Sequence, residues 1–411
     1  MERRTYIYIF MLLILSSCSF SKVYETDDDS TPDRGTVGYV EQTTLMYFCG
    51  TSLGSFYSSN LSDVKSAIAD GALGEGGRLF VYYPSYTSAE LYELYESGGS
   101  YVKESVMTFE SNESFDEERM VEVISMVKAQ SESSSYNVVI SGHGAGWVLS
   151  SHPYLKSVAS SSSDINWEKE VVDGVTTRFM GSSSDGYMEV EELSEALSKS
   201  ETKFGYILFD MCLMSNIETL YELKDLCDYV IASPCEVMGW GFPYQTVLPE
   251  LFAEDGLNPD FAGVCEAYCN YYEQRTSYSS GAVAYCVTSE LDGLAAAMKA
   301  INSAGVNSVD IGSLQCYEKL TYHVFCDLGE YVTAACDDAA LVSNFESSML
   351  KAFPQDGRFH TQSFYSALSG STGWVDINYY SGVSTSAPSV KFRDEWAETS
   401  WVKATQSDES E

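Results

Sequence analysis

The chain is short of positive charge. Its 411 residues hold 23 Lys and Arg against 60 Asp and Glu, a formal net charge of −37. A nucleic-acid binder needs basic patches to neutralise phosphates, so that class is excluded. The same shortage excludes docking on anionic lipid by charge. What the imbalance favours is a soluble surface that repels its own copies, hence a monomer. Histidine is scarcer still, with only His143, His152, His323 and His360. They are scattered and form no HExxH-type pair, which argues against a metal hydrolase and for no metal site. There is no internal repeat, and the eleven cysteines show no tidy spacing. Cys265 and Cys269 lie four apart on a predicted helix, but no His or second Cys pair joins them as zinc would require. Most of the ten cysteines beyond Cys18 are therefore expected to be small buried apolar residues.

What is present is enough for a core: 45% of residues are hydrophobic, including 30 Tyr and 19 Phe. One large domain or two would fit this length. The first residues, MERRTYIYIFMLLILSSCSF, place two arginines before an apolar run from Tyr6 to Leu15 and then small residues. That pattern is a secretory signal, too short to span a bilayer. Leu15-Ser16-Ser17-Cys18 resembles a bacterial lipobox, so residues 1–18 are read as a lipoprotein signal with Cys18 as the lipidated residue. Acyl chains there would tether an exported protein to the cell envelope, at the outer membrane or cell surface. Residues 19–38, with Asp27-Asp28-Asp29 and Pro32, read as a flexible spacer.

Short, nearly continuous apolar runs then recur: 43–48, 78–83, 136–141, 204–209, 229–233 and 282–287. Such runs suit strands buried on both faces of a parallel sheet. Helical patterns alternate with them at 118–129, 188–199 and 216–226, so the class is α/β with crossover helices. Residues 148–187 interrupt the rhythm with Ser-rich stretches and read as a surface insertion. A core over 39–288 would carry that insertion. The part from 289 to 411 reads as mainly helical, packed on the core, with strand-like pieces at 363–368 and 374–381.

Sites in open α/β sheets form at the carboxyl ends of strands. Two such ends carry chemistry. In VISGHGAGW (139–147), His143 stands between glycines just past one strand; in FGYILFDMCLMSNIE (204–218), Cys212 follows another, with a helix expected from about Met214. A thiol near a helix N-terminus is biased toward thiolate. His143 across the neighbouring strand would share its proton. Gly142, Gly144 and Gly146 are expected to admit close backbone approach and positive φ. The N–H groups of Gly144 and Cys212 would then face a developing oxyanion. Each residue alone has a bland reading as well: a structural His in a turn, a packed Cys after a buried strand.

SGHGAGW and LFDMCLMSNIE resemble the His and Cys motifs of clostripain-type cysteine peptidases, a family with the caspase-like fold. TTLMYFCGTSL (43–53), RFMGSSSDGYMEVEELSEAL (178–197), ASPCEVMGWGFPY (232–244), YCVTSELDGL (285–294) and FCDLGEYV (325–332) resemble further family segments in order. The resemblance implies an αβα sandwich with a mostly parallel central sheet. It also implies a Cys212/His143 dyad cleaving proteins or peptides through a thioester, with no cofactor required and calcium a candidate. The family's acidic S1 pocket, selecting Arg or Lys, would fall on Asp210, with Glu236 a second candidate; the other reading of Asp210 is a helix cap or loop brace. Zymogen relatives point to self-cleavage in the insertion at Lys156 or Lys169, less so at Arg178. Two rivals stay open. One is an idle relative binding peptide or glycan through segments such as YYEQRTSYSS (271–280). The other is a transpeptidase using the same thioester.

Overall fold

A computed structural model describes residues 37–148, 188–252, 258–320, 322–367 and 373–407. The signal, Cys18, most of the spacer and Lys156, Lys169 and Arg178 of the insertion lie outside the described residues. The six apolar runs all form strands. They fall in β1 (Val37–Phe48), β2 (Gly77–Pro84), β5 (Ser131–Ser141), β6 (Phe204–Asp210), β7 (Cys227–Ala232) and β8 (Ala282–Val287). With β3 (Ala89–Glu96), β4 (Tyr101–Phe109) and β10 (Arg358–His360) they build one sheet in the order β10-β8-β7-β6-β5-β1-β2-β3-β4. The central pairs β2-β1, β1-β5, β5-β6 and β6-β7 are parallel, and the flanking pairs are antiparallel. The fold is mixed α/β, with a large, mostly parallel central sheet between helices.

Alternation along each strand divides the core between the two faces. Leu45, Tyr47, Val138, Ile140, Ile207 and Phe209 join one apolar cluster. Met46, Phe48, Val139, Tyr206 and Leu208 join the other. The first face is covered by α2 (Glu117–Gln130), α3 (Val190–Lys199) and α4 (Ile217–Leu223), followed by α7 (Leu291–Ala304) and α9 (Ala339–Ala352). The second is covered by α1 (Gly54–Ala69), α5 (Tyr244–Phe252) and α6 (Phe261–Glu273). Helix ends follow from local chemistry. Asp116 caps α2 by accepting the Arg119 N–H at 2.9 Å, with Glu117 and Glu118 in the first turn and Lys128 in the last. Glu192 of α3 reaches back to accept the Glu189 N–H at 2.9 Å.

Three features differ from the sequence reading. The antiparallel β3-β4 pair extends the sheet from residues that the apolar runs passed over. In the part expected to be mainly helical, residues 312–350 hold two α-helices, α8 (Leu328–Ala335) and α9, preceded by a long loop. The C-terminal strands are shorter than expected: β11 is Ser363–Tyr365 and β12 is Trp374–Asp376, paired with each other rather than with the main sheet. Two-residue strands β9 (Cys326–Asp327) and β13 (Ser384–Thr385) pair antiparallel beside them. The chain closes with α10 (Arg393–Ala397) and α11 (Ser400–Thr405), where Trp401 is buried against the first face.

Arg78 and Glu93, each only 3% exposed, pair across β2 and β3 through two bonds, Nε to Oε1 at 2.8 Å and Nη2 to Oε2 at 2.6 Å. Both charges are desolvated, so removing one strands the other. Glu93→Ala is expected to cost about 3–5 kcal/mol in urea unfolding, with an apolar replacement of both partners recovering most of that loss.

Candidate active site

The parallel sheet brings three strand ends level. Phe48 of β1 pairs with Ser141 of β5, and Ser141 with Asp210 of β6. The Cys49 N–H donates to Ser141 O at 2.8 Å, and the Gly142 N–H to Asp210 O at 3.4 Å. The loops that follow are therefore delivered side by side: the β1–α1 turn, the His143 loop and the Cys212 turn.

The glycines of GHGAG serve that packing. A Cβ on Gly142 would stand 2.9 Å from Cys49 Cβ. On Gly144 it would stand 2.5 Å from the carbonyl oxygen and 3.2 Å from the nitrogen of Cys212. Gly146 has φ +61°, and a Cβ there would meet Asn216 Nδ2 at 2.5 Å. Of the three, only Gly146 is left-handed. What Gly142 and Gly144 admit is the neighbouring protein chain, so the His143 loop lies directly on the Cys212 turn. Gly144 and Cys212, the two residues expected to supply oxyanion donors, are thereby placed in backbone contact.

Cys212 is fully buried, and its Sγ accepts the Val237 N–H at 3.1 Å. The next residue, Leu213, has φ +60°, a strained value for a branched side chain. Its N–H donates to Cys235 O at 3.0 Å and its carbonyl accepts Asn216 Nδ2 at 2.6 Å. Asn216 Oδ1 in turn accepts the Thr219 N–H at 2.9 Å, capping α4. The helix thus starts at Ile217, later than the expected Met214, and the amide that reaches the thiol belongs to Val237 rather than to the helix. His143 is half-buried, with Nε2 at 3.0 Å from Ser52 Oγ. Burial pushes the neighbouring thiols of Cys49 and Cys235 up to about 12. All ten described cysteines are buried and none is in a disulfide.

The clostripain-family model matches residues 46–352, more than half of the chain and spanning both motifs. The chain belongs to the clostripain family of cysteine peptidases. A secreted C11 cysteine protease from Bacteroides thetaiotaomicron, "iotapain", is 32% identical with a TM-score of 0.76, covering 90% of this chain and 100% of its own. An inactive zymogen C11 protease from Parabacteroides distasonis is 26% identical with a TM-score of 0.75, covering 89% and 98%. A clostripain from Bacteroides thetaiotaomicron, in complex with the peptide inhibitor BTN-VLTK-AOMK, is 34% identical with a TM-score of 0.51, covering 56% and 99%. No curated protein matches the chain by sequence.

In this peptidase Asp210, two residues before Cys212, and Glu236, next to the Val237 whose amide reaches the thiol, are both fully buried. Asp210 shares the second face with Tyr206 and Leu208, where its Oδ2 accepts the Tyr244 hydroxyl at 2.8 Å and the Ser141 hydroxyl at 3.3 Å. Glu236 lies between Cys235 and Val237, the residues that hold Leu213 and the thiol, and its Oε1 accepts the Ala367 N–H at 3.0 Å. Among the described residues, no group of three or more His, Cys, Asp or Glu is arranged to hold a metal ion.

Two buried carboxylates that sequence reasoning missed organise the surroundings. Glu218 Oε1 accepts from Thr385 Oγ1, the Ser386 N–H and Trp396 Nε1, each at 2.9 Å, and burial raises its pKa. It ties the Cys212 turn to the C-terminal segment. The Trp147 indole N–H reaches the same segment, donating to Ser386 Oγ at 3.0 Å. Glu318 accepts the N–H groups of Leu320 and Val324 at 2.7 Å and Phe325 at 3.3 Å, and lies 3.1 Å from His323 Nδ1. Leu320, Val324 and Phe325 then pack with Trp147 and Phe392 over Cys212. Of all this, the sequence displays only Asn216, a helix-capping residue type, just before α4.

The Glu318 bond raises the pKa of His323 above its ordinary 6.5. A raised folded-state value means the stabilisation is complete below that ordinary value and is lost as pH rises through the higher one. Tm should therefore decline across that window. His323→Ala is expected to flatten that part of a Tm-against-pH series.

Proposed function

We propose that this peptidase is an exported, lipid-anchored endopeptidase in which Cys212 is the nucleophile and His143 the base. One observation carries the reading: Gly144 of the His143 loop lies against the backbone of Cys212, so the two motifs form a single site. The Cys212 thiol passes its proton to His143 as Sγ attacks the peptide carbonyl carbon. The Gly144 and Cys212 N–H groups stabilise the oxyanion. The C–N bond breaks as His143 returns the proton to the leaving amine, leaving a thioester. Water then attacks with its proton taken by His143, and the acid leaves as the thiol regains that proton. No cofactor is needed for these steps; calcium would act only as a structural ligand of acidic surface groups.

Asp210 and Glu236 form the S1 floor in this reading and select Arg or Lys. Their support is their full burial and their places in the chain, two residues before Cys212 and next to the Val237 that donates to it, where a cation on the substrate would repay the cost of their charge. The peptide of the inhibitor bound to the related clostripain, VLTK, ends in such a residue. The full burial of Cys212 beneath Trp147 and Phe325 supports synthesis as a zymogen, like the Parabacteroides relative, with self-cleavage at Lys156 or Lys169. The anchor rests on the Leu15–Cys18 sequence, and export on the secreted Bacteroides relative. The net charge of −37 favours a monomer.

The test is hydrolysis of fluorogenic peptides with Arg, Lys, Asp or Ala at P1, by the chain from Val37 onward under reducing conditions, with and without calcium. Cleavage after Arg or Lys, abolished in Cys212→Ala, is expected. Asp210→Asn should lower kcat/KM for those peptides by roughly 10- to 100-fold, the worth of one hydrogen bond to a charged group. Hydrolysis that survives Cys212→Ala would overturn the nucleophile, and cleavage only after Asp or Ala would overturn the S1 assignment. Intact mass after incubation should show loss of full length in the wild-type chain and none in Cys212→Ala.

A further inference from the structure

The strand order reverses between β1 and β5: β2 lies on one side of β1, and the chain returns to place β5 on the other. His143 leaves β5 at this reversal, and the β1–α1 turn leaves β1 facing it. That turn is rigid. Gly50 has φ +72°, and its N–H donates to Ser114 Oγ at 2.8 Å. The Tyr57 hydroxyl donates to Cys49 O at 2.7 Å, the Gly54 N–H donates to Thr51 O at 3.0 Å, and Leu53 is buried. Ser52, exposed at the tip, is thereby fixed with Oγ 3.0 Å from His143 Nε2.

A hydroxyl facing an imidazole nitrogen can donate or accept, and the choice decides which nitrogen is basic. If Ser52 donates, the ring proton sits on Nδ1 and that nitrogen takes no proton from a thiol. If Ser52 accepts Nε2–H, the lone pair is on Nδ1, which is shielded from solvent. We propose that Ser52 is a positioning residue for His143: it accepts Nε2–H and so holds the tautomer and ring orientation in which Nδ1 is the base. This rests on the reading of His143 as the catalytic base. Once Nδ1 takes the thiol proton, the ring is an imidazolium, and Nε2–H···Oγ becomes a charge-assisted bond stronger than its neutral form. Ser52 thus stabilises the charged ring more than the neutral one. Its loss should be felt in kcat rather than in KM, and should move the His143 limb of the pH profile to lower pH.

The experiment measures kcat, KM and pH–rate profiles for the wild type, Ser52→Ala, Ser52→Thr, His143→Ala and Ser52→Ala/His143→Ala, on a peptide the wild type cleaves. Ser52→Ala is expected to lower kcat roughly three- to tenfold, a fraction of the ~10²–10⁴ supplied by a positioned base. KM should hold, the pH limb should move down, and Ser52→Thr should restore both. With His143 removed, Ser52→Ala should have no further effect. A Ser52→Ala enzyme with wild-type kcat and pH profile, beside an inert His143→Ala, overturns the Ser52 role and leaves His143 standing. An equal loss with and without His143 also overturns it, as the mark of a structural residue. A fully active His143→Ala overturns the base and Ser52 together. If turnover is too slow to follow, the pH dependence of Cys212 alkylation, read by mass on its peptide, should show the same displacement in Ser52→Ala.

Discussion

The pairing of β5 with β6, in which Ser141 stands level with Asp210, is the constraint on which the site depends. Side chains alternate with period two, so a slip of one residue would turn Asp210 away from Tyr244 and into the opposite layer. It would also carry Cys212 out of reach of the Val237 amide. The glycine loop adds a second lock, because its Cβ-free positions accept the Cys212 turn at distances no other residue tolerates. Register and loop together make the contact between the two motifs a property of the sheet rather than of flexible connections.

A chain this acidic also uses carboxylates as internal fasteners. A carboxylate only accepts, and it can take several donors at once, which suits segments whose backbone N–H groups lack a ladder partner. Glu318 gathers three amides of one loop. Asp327 takes the Tyr317 hydroxyl at 2.6 Å and the amides of Ser381 at 2.7 Å and Glu330 at 3.0 Å, and burial raises its pKa. Glu218 does the same for the C-terminal residues. The part of the molecule poorest in regular strands is the part held by these three side chains.

This explains what the sequence discloses and what it hides. Buried parallel strands are runs of apolar residues, so β1, β2 and β5 to β8 are legible, and with them the strand ends where His143 and Cys212 stand. The strand next to the edge, AELYELYE, mixes glutamates with tyrosines although it is buried almost throughout, because Glu93 is neutralised by Arg78 across the sheet, and so it shows no apolar run. β9 and β13 are two residues each and have no period to detect. Glu218 reads as one more acidic residue in the first turn of a helix, and Glu318 as one more charge in a loop; their meaning lies in partners up to 178 residues away. Gly144 is legible as a special position, but its neighbour, the Cys212 carbonyl, becomes known only when β5 and β6 are paired.

The strap that seats the Cys212 turn has a temporal consequence. Ser384 to Trp396, which anchor Glu218 and cover the Cys212 turn, are synthesised roughly 170 residues after Cys212 itself. A nascent or prematurely ended chain therefore carries the thiol, the histidine and the glycine loop, yet lacks the donors that fix α4 and the indole partner of Glu218. The surroundings of the Cys212 turn are completed last, so the cell that makes this chain meets them finished only at the end of its synthesis.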